Sequence, residues 1–101
     1  MKPASIRALV TGGAGGIGGA IASELLERGA SVLLVDRDQG ALGRSALRFA
    51  RYGDRVDVLA ADLTSAADRQ RICSDAAGWR GGVNVLVNNA GINHFRMFED
   101  Q

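Results

Sequence analysis

The chain has one cysteine, one histidine, one proline and one tryptophan, and its only lysine and tyrosine are Lys2 and Tyr52. A lone Cys73 excludes an internal disulfide, and with His94 the single imidazole there is no cluster of soft metal ligands, so no metal site is expected. Cys73 reads as a small apolar residue on a helix and His94 as a loop residue. An excess of one charge is also missing. Twelve basic and 11 acidic residues leave a net +1, which gives no electrostatic reason to expect nucleic acid or an anionic membrane as a partner. Long hydrophobic runs are absent: the aliphatic stretch Val32 to Val35 is far below the roughly 20 residues that span a bilayer. Between Lys2 and Arg7 there are too few apolar residues for a signal-peptide core of about 7 to 15, so a soluble, cytoplasmic protein is expected. A length of 101 residues leaves room for one small domain and not two.

Glycine, by contrast, is plentiful. Fourteen are present, and six fall within VTGGAGGIGGAI, Val10 to Ile21. Each glycine inside a helix opening costs about 0.5 to 1 kcal/mol relative to alanine, so such a cluster implies that something approaches the main chain closely.

Around it, two kinds of segment alternate. Ile6 to Thr11, Ser31 to Val35, Val56 to Ala61 and Val83 to Asn88 are short and largely apolar on both faces, as expected of strands covered on both sides. A first helix is expected after Gly16, with Ile17, Ile21 and Leu25 as its apolar stripe, Ala22 and Leu26 beside them, and Gly29 at its end. A second is expected near Gln39 to Tyr52, burying Leu42, Ala46, Phe49 and Ala50; its Arg44, Arg48 and Arg51 read as a solvated face. A third begins at Ser65, paired with Asp68 as a capping box, and runs through Ile72, Cys73, Ala76 and Ala77 to Trp79. This alternation predicts an α/β fold: the N-terminal part of a Rossmann-type, doubly wound parallel sheet with strand order 3-2-1-4.

Open parallel sheets bind ligands beyond the carboxyl ends of their strands, where the chain order reverses. The glycines lie there, and a helix start offers unpaired N–H groups and the positive end of a dipole to a diphosphate. In one register Gly12 turns the chain off the strand, Gly16 admits the diphosphate and Gly18 lets the helix pack. Gly13, Gly15 and Gly18 also fit the general GxGxxG spacing, and a glycine-rich turn without any ligand would show the same pattern. Three further features converge on that crevice. Asp36 ends the second strand, where its carboxylate can accept both adenosine ribose hydroxyls. ADLT, Ala61 to Thr64, follows the third strand, and NNAG, Asn88 to Gly91, follows the fourth. A carboxylate and a 2′-phosphate about 4 Å apart repel by roughly 1 kcal/mol in water and about 4 at a protein surface, so NAD is favoured over NADP, with Arg37 as the opposing influence.

With these residues in hand, the sequence resembles the short-chain dehydrogenase/reductase family in its compact single-domain branch. The residues that carry the likeness are Thr11 to Gly18, Asp36, Asp62-Leu63-Thr64 and Asn88-Asn89-Ala90-Gly91. The glycine segment also fits the extended branch, and NNAG decides for the compact one. The resemblance implies hydride transfer between a nicotinamide cofactor and an alcohol or ketone. It places Gly12, Gly16, Ile17 and Gly18 along the pyrophosphate and Asp36, with Arg37 beside it, at the adenosine ribose. Asp62 and Leu63 fall at the adenine and Asn88, Ala90 and Gly91 at the ribose side, with Asn89 bracing the sheet. The family's catalytic serine, tyrosine and lysine have no counterpart: Tyr52 is followed four positions on by Val56, not by lysine. No catalytic residue is therefore expected in residues 1–101. They read as a partial dinucleotide-binding domain that stops before the catalytic segment, from an enzyme that is a homo-oligomer at full length. The alternative is a non-catalytic dinucleotide-binding module, or a subunit completed by another chain. In either case the fourth strand is expected to have one unpaired edge.

Overall fold

The computed structural model describes residues 2–89. Four strands, β1 (Arg7–Thr11), β2 (Ser31–Asp36), β3 (Val56–Ala60) and β4 (Val85–Asn88), form one sheet in the order β3-β2-β1-β4. Every pairing is parallel, with Leu9 of β1 level with Leu33 of β2 and Leu86 of β4. The helices between them are α1 (Gly16–Glu27), α2 (Gln39–Arg48) and α3 (Ala66–Gly78). The expected doubly wound order is thus present.

Its two faces follow from the alternation of side chains along the strands. Ala8, Val10, Val32 and Leu34 point to one side, where they pack against Ala22 and Leu26 of α1 and Leu42 and Phe49 at α2. Leu9, Leu33 and Val35 point to the other, against Ala61, Leu63 and, from α3, Ile72 and Ala76. The chain steps outward from β1 to β3 with helices on one face. It then jumps back past two strands to β4 with α3 on the opposite face, as right-handed crossovers require. The reversal occurs beside β1, and β4 has no second neighbour among the described residues.

Several local expectations shift. In α1 the buried row is Gly18, Gly19, Ala22 and Leu26, whereas Ile17 is 72% exposed and Ile21 and Leu25 are only partly covered. The helix lies so close to the loop before it that only glycine and alanine fit beneath its first turns, which rolls the larger side chains outward. Helix α2 stops at Arg48, and residues Ala50–Arg55 continue as a tighter 3-10 segment. The buried row of α2 is Leu42, Ser45 and, at its C-cap, Phe49, which follows helical spacing, and Ala46 and Ala50 are exposed, contrary to the sequence expectation. Arg44, Arg48 and Arg51 are exposed as expected, and the guanidinium groups of Arg48 and Arg51 lie over the rings of Phe49 and Tyr52. Helix α1 ends before Gly29, whose φ of 99° suits a residue without a Cβ. Just beyond, Arg55 Nη1 donates to the carbonyls of Leu26 and Ala30.

Candidate functional site

The glycine segment leaves β1 through a turn in which Gly12 has φ 63° and its carbonyl accepts the N–H of Gly15 at 3.1 Å. The next glycine, Gly13, is held beneath β2: a Cβ there would meet the Val10 carbonyl at 2.9 Å and Leu34 at 3.0 Å. Gly18 faces back into the turn, where a Cβ would stand 2.2 Å from the Gly12 carbonyl oxygen. Gly16 is different, since a Cβ there would meet nothing within 4 Å. The three glycines of the motif therefore do separate jobs: Gly12 makes the turn, Gly18 permits close packing, and Gly16 borders open space.

That space lies above the start of α1. By helix geometry the N–H groups of Gly16, Ile17 and Gly18 have no acceptor within the helix. The N-cap residue, Gly15, has no side chain to cap them, and no acidic side chain occupies the first turn. The positive end of the helix dipole is thus left for an anion from elsewhere.

Next to it a cleft of about 280 Å³ is lined by Gly12, Val35, Asp36, Arg37, Ala61, Asp62, Leu63 and Thr64. It runs along the carboxyl ends of β1, β2 and β3, so the fold gathers Gly12, Asp36, Arg37, Asp62 and Leu63 on one wall. Asp36 is held by main-chain donors: Ala14 N–H donates to Oδ2 at 3.2 Å and Asp38 N–H to Oδ1 at 3.1 Å. Asp62 Oδ1 accepts both the Thr64 hydroxyl at 2.7 Å and the Thr64 N–H at 2.9 Å. Those bonds, the hydroxyl foremost, hold the Asp62 carboxyl below its ordinary pKa of 3.8. Burial opposes them, and the positive charge of Arg37 adds a smaller lowering.

At the other end of the site β1 is tied to β4 through Thr11, which is fully buried. Its hydroxyl accepts the Asn89 N–H at 3.0 Å and lies 3.1 Å from Asn88 Oδ1 and 3.3 Å from the Val87 carbonyl. The Asn89 amide reaches the Gly12 carbonyl at 3.4 Å. Ala90 and Gly91, the rest of that motif, lie outside the described residues, as does His94. Tyr52 sits in the segment leading into β3, at the opposite end of the strands from the cleft. Cys73 lies part-buried on α3, where burial raises its thiol pKa.

Sequence reasoning named Ala14 and Thr64 only as parts of their motifs and gave neither a role; the N–H of Ala14 fastens Asp36, and the spacing of Thr64 two residues after an aspartate is a side-chain turn signal.

The sequence model of the short chain dehydrogenase family matches residues 7–101. The chain belongs to that family. Among curated members of the short chain dehydrogenase family, the 3beta-hydroxysteroid dehydrogenase 2 of Eggerthella lenta is 40% identical over 85 residues. The match covers 84% of this chain and 33% of the relative. The 2-(S)-hydroxypropyl-CoM dehydrogenase 3 of Xanthobacter autotrophicus is 44% identical over 91 residues, covering 90% and 36%. The chain thus spans about a third of the length of these relatives. Of solved structures, the Pseudomonas aeruginosa RhlG/NADP active-site complex aligns with a TM-score of 0.76 at 41% identity, over 91% of this chain and 38% of that one. A Burkholderia phymatum short chain dehydrogenase/reductase in complex with NAD aligns with a TM-score of 0.77 at 28% identity, over 85% and 31%. The family is one of oxidoreductases that use nicotinamide cofactors, and those two complexes represent both forms. No helix among the described residues is long and apolar enough to cross a membrane.

Proposed function

We propose that residues 1–101 are the cofactor-binding part of an NAD-dependent dehydrogenase that interconverts an alcohol and a ketone. The observation that carries this reading is the uncapped start of α1, open at Gly16, following a turn whose Gly12 lines a cleft walled by two aspartates. When bound, the nicotinamide ring would accept or donate the hydride. What this chain contributes is binding and orientation. The N–H groups at Gly16, Ile17 and Gly18 would hold the pyrophosphate. Asp36, with two of its roughly four acceptor positions used by Ala14 and Asp38, keeps two for the adenosine ribose hydroxyls. Asp62 and Leu63 would border the adenine, and Asn88, Ala90 and Gly91 the ribose side.

The preference for NAD rests on Asp36, which opposes a 2′-phosphate. Arg37, the residue able to attract one, lines the same cleft and already interacts favourably with the Asp62 carboxylate. Chemistry is assigned to a part of the enzyme outside these residues, because Tyr52 is remote from the cleft and has no lysine four positions on. The 101 residues alone are therefore inactive in this reading. One experiment tests it: calorimetric titration of the 101-residue chain with NAD, NADP and ADP-ribose, followed by a dehydrogenase assay over a panel of alcohols. NAD and ADP-ribose are expected to bind alike, NADP about tenfold more weakly for a repulsion near 1.4 kcal/mol, and turnover to stay at background. Absence of any binding would defeat the proposal, and turnover would defeat its assignment of catalysis elsewhere.

A further inference from the structure

The loop between β3 and α3 supplies half of the cleft wall, yet among the described residues β3 is an edge strand, with a neighbouring strand on one side only. On that side, Ala61 N–H donates to the Asp36 carbonyl at 3.0 Å. Three further main-chain groups at the loop are met by side chains of α3. Arg71 Nη2 donates to the Ala60 carbonyl at 2.7 Å, Arg69 Nη1 donates to the Leu63 carbonyl at 2.7 Å, and the Asp62 N–H donates to Asp68 Oδ2 at 2.8 Å. Arg71 Nη2 also lies 3.6 Å from Asp68 Oδ1, joining two of the three grips.

The contact at Asp68 is informative because local sequence gives that residue another task. Three positions after the N-cap Ser65, its carboxylate is placed to accept the Ser65 N–H and complete a capping box. Half of the box is made, with the Asp68 N–H donating to Ser65 Oγ at 3.2 Å. The reciprocal half is not, since Ser65 N–H donates to the Asp62 carbonyl instead and the Asp68 carboxylate turns to the Asp62 N–H. Asp62 is therefore fixed twice: through its side chain by Thr64 and through its main chain by Asp68.

We infer that Asp68 is a positioning residue for the adenine end of the site. It acts through the main chain of Asp62 and sets where the Asp62 carboxylate and the Leu63 side chain stand. The inference rests on the dinucleotide reading above. It adds a residue outside the glycine segment, Asp36, ADLT and NNAG, and one that does not line the cleft.

The test uses the 101-residue chain with Asp68→Ala and Asp68→Asn, the latter keeping an oxygen acceptor. Two readouts are taken: hydrogen exchange of individual amides, and calorimetric affinity for ADP-ribose and for inorganic pyrophosphate. In Asp68→Ala, exchange at the Asp62 amide should rise about tenfold while the amides of α1 keep their rates. ADP-ribose should weaken about tenfold, as for one lost charge-assisted hydrogen bond, and pyrophosphate should be unaffected. Asp68→Asn should restore most of both. An Asp62 amide that exchanges as in the unaltered chain would overturn the inference. So would a uniform rise across all amides, or equal weakening of both ligands, since those mark a general loss of stability. If the unaltered chain binds neither ligand, the dinucleotide reading fails. Exchange at the Asp62 amide then still decides whether Asp68 holds the loop.

Discussion

Replacing Gly18 with alanine separates the packing role of the glycine segment from its ligand role. The added methyl would stand 2.2 Å from the Gly12 carbonyl oxygen, 2.9 Å from its carbon and 3.0 Å from the Asn89 amide nitrogen. Relief requires the helix and the turn to part by more than an ångström, which breaks the Gly15 N–H to Gly12 carbonyl bond that closes the turn. Overpacking of this kind costs about 1–3 kcal/mol and the lost bond about 1, while alanine returns up to about 1 in helix propensity. A net loss of about 2 kcal/mol should lower Tm by about 10 °C in a domain of this size. Gly16→Ala is the control, because its methyl meets no protein atom within 4 Å. It should leave Tm unchanged or slightly higher and, in the dinucleotide reading proposed above, weaken ADP-ribose about tenfold by standing where the diphosphate would approach. Thermal denaturation and calorimetry on the two variants provide the comparison. A Gly18→Ala protein that melts with the parent, or a Gly16→Ala protein that loses as much stability as Gly18→Ala, would refute the division of labour.

Thr64→Val removes the larger of the two bonds that lower the Asp62 pKa, so that value should move back toward 3.8, followed by carboxyl resonances through an acid titration. Because the folded value lies below the unfolded one, the stabilisation from Asp62 is present above about pH 3.8 and lost as pH falls through the folded value; the variant should show less of this acid-dependent loss. Asp36→Asn removes the charge that opposes a 2′-phosphate and sets an amide against the Ala14 N–H or the Asp38 N–H. NAD should weaken and the NAD-to-NADP preference fall about tenfold, measured by titration with both. Ser65→Ala deletes the side-chain cap of α3 and should cost about 1 kcal/mol, read as a Tm lower by about 4–8 °C.

Strand positions and their order were legible because period-2 and all-apolar patterns are short-range signals. Each strand end agrees with the sequence reading to within two residues. The largest offset is at β4, where the Val83 N–H is taken by the Ala76 carbonyl of α3; the first bond to β1 runs from the Asn84 N–H to the Arg7 carbonyl, and paired residues begin at Val85 opposite Ala8. The core face of α1 was misjudged for a tertiary reason. Periodicity alone puts the stripe on the largest apolar residues, whereas close approach of the helix to the Gly12 turn puts it on the smallest. In α2 the core face runs through the polar Ser45 between Leu42 and Phe49, so a reading that follows the apolar residues assigned Ala46 and Ala50 to the wrong side. Asp36 and Asp62, singled out for their positions at strand ends, both line the cleft. Ala14 and Asp68 were read only as part of the glycine segment and as a capping-box partner, because each of their bonds to Asp36 and Asp62 involves a main-chain N–H, which leaves little trace in residue type.

The contrast among the glycines bears on how such a sequence would age. Gly13 and Gly18 are enforced by neighbouring protein atoms, so selection for a folded chain alone would retain them in a descendant that had abandoned its cofactor. Gly16 has no such enforcement. With the dinucleotide bound as proposed, drift at that single position, with the rest of the signature intact, would be the earliest mark of a lineage that keeps the architecture and has given up the nucleotide.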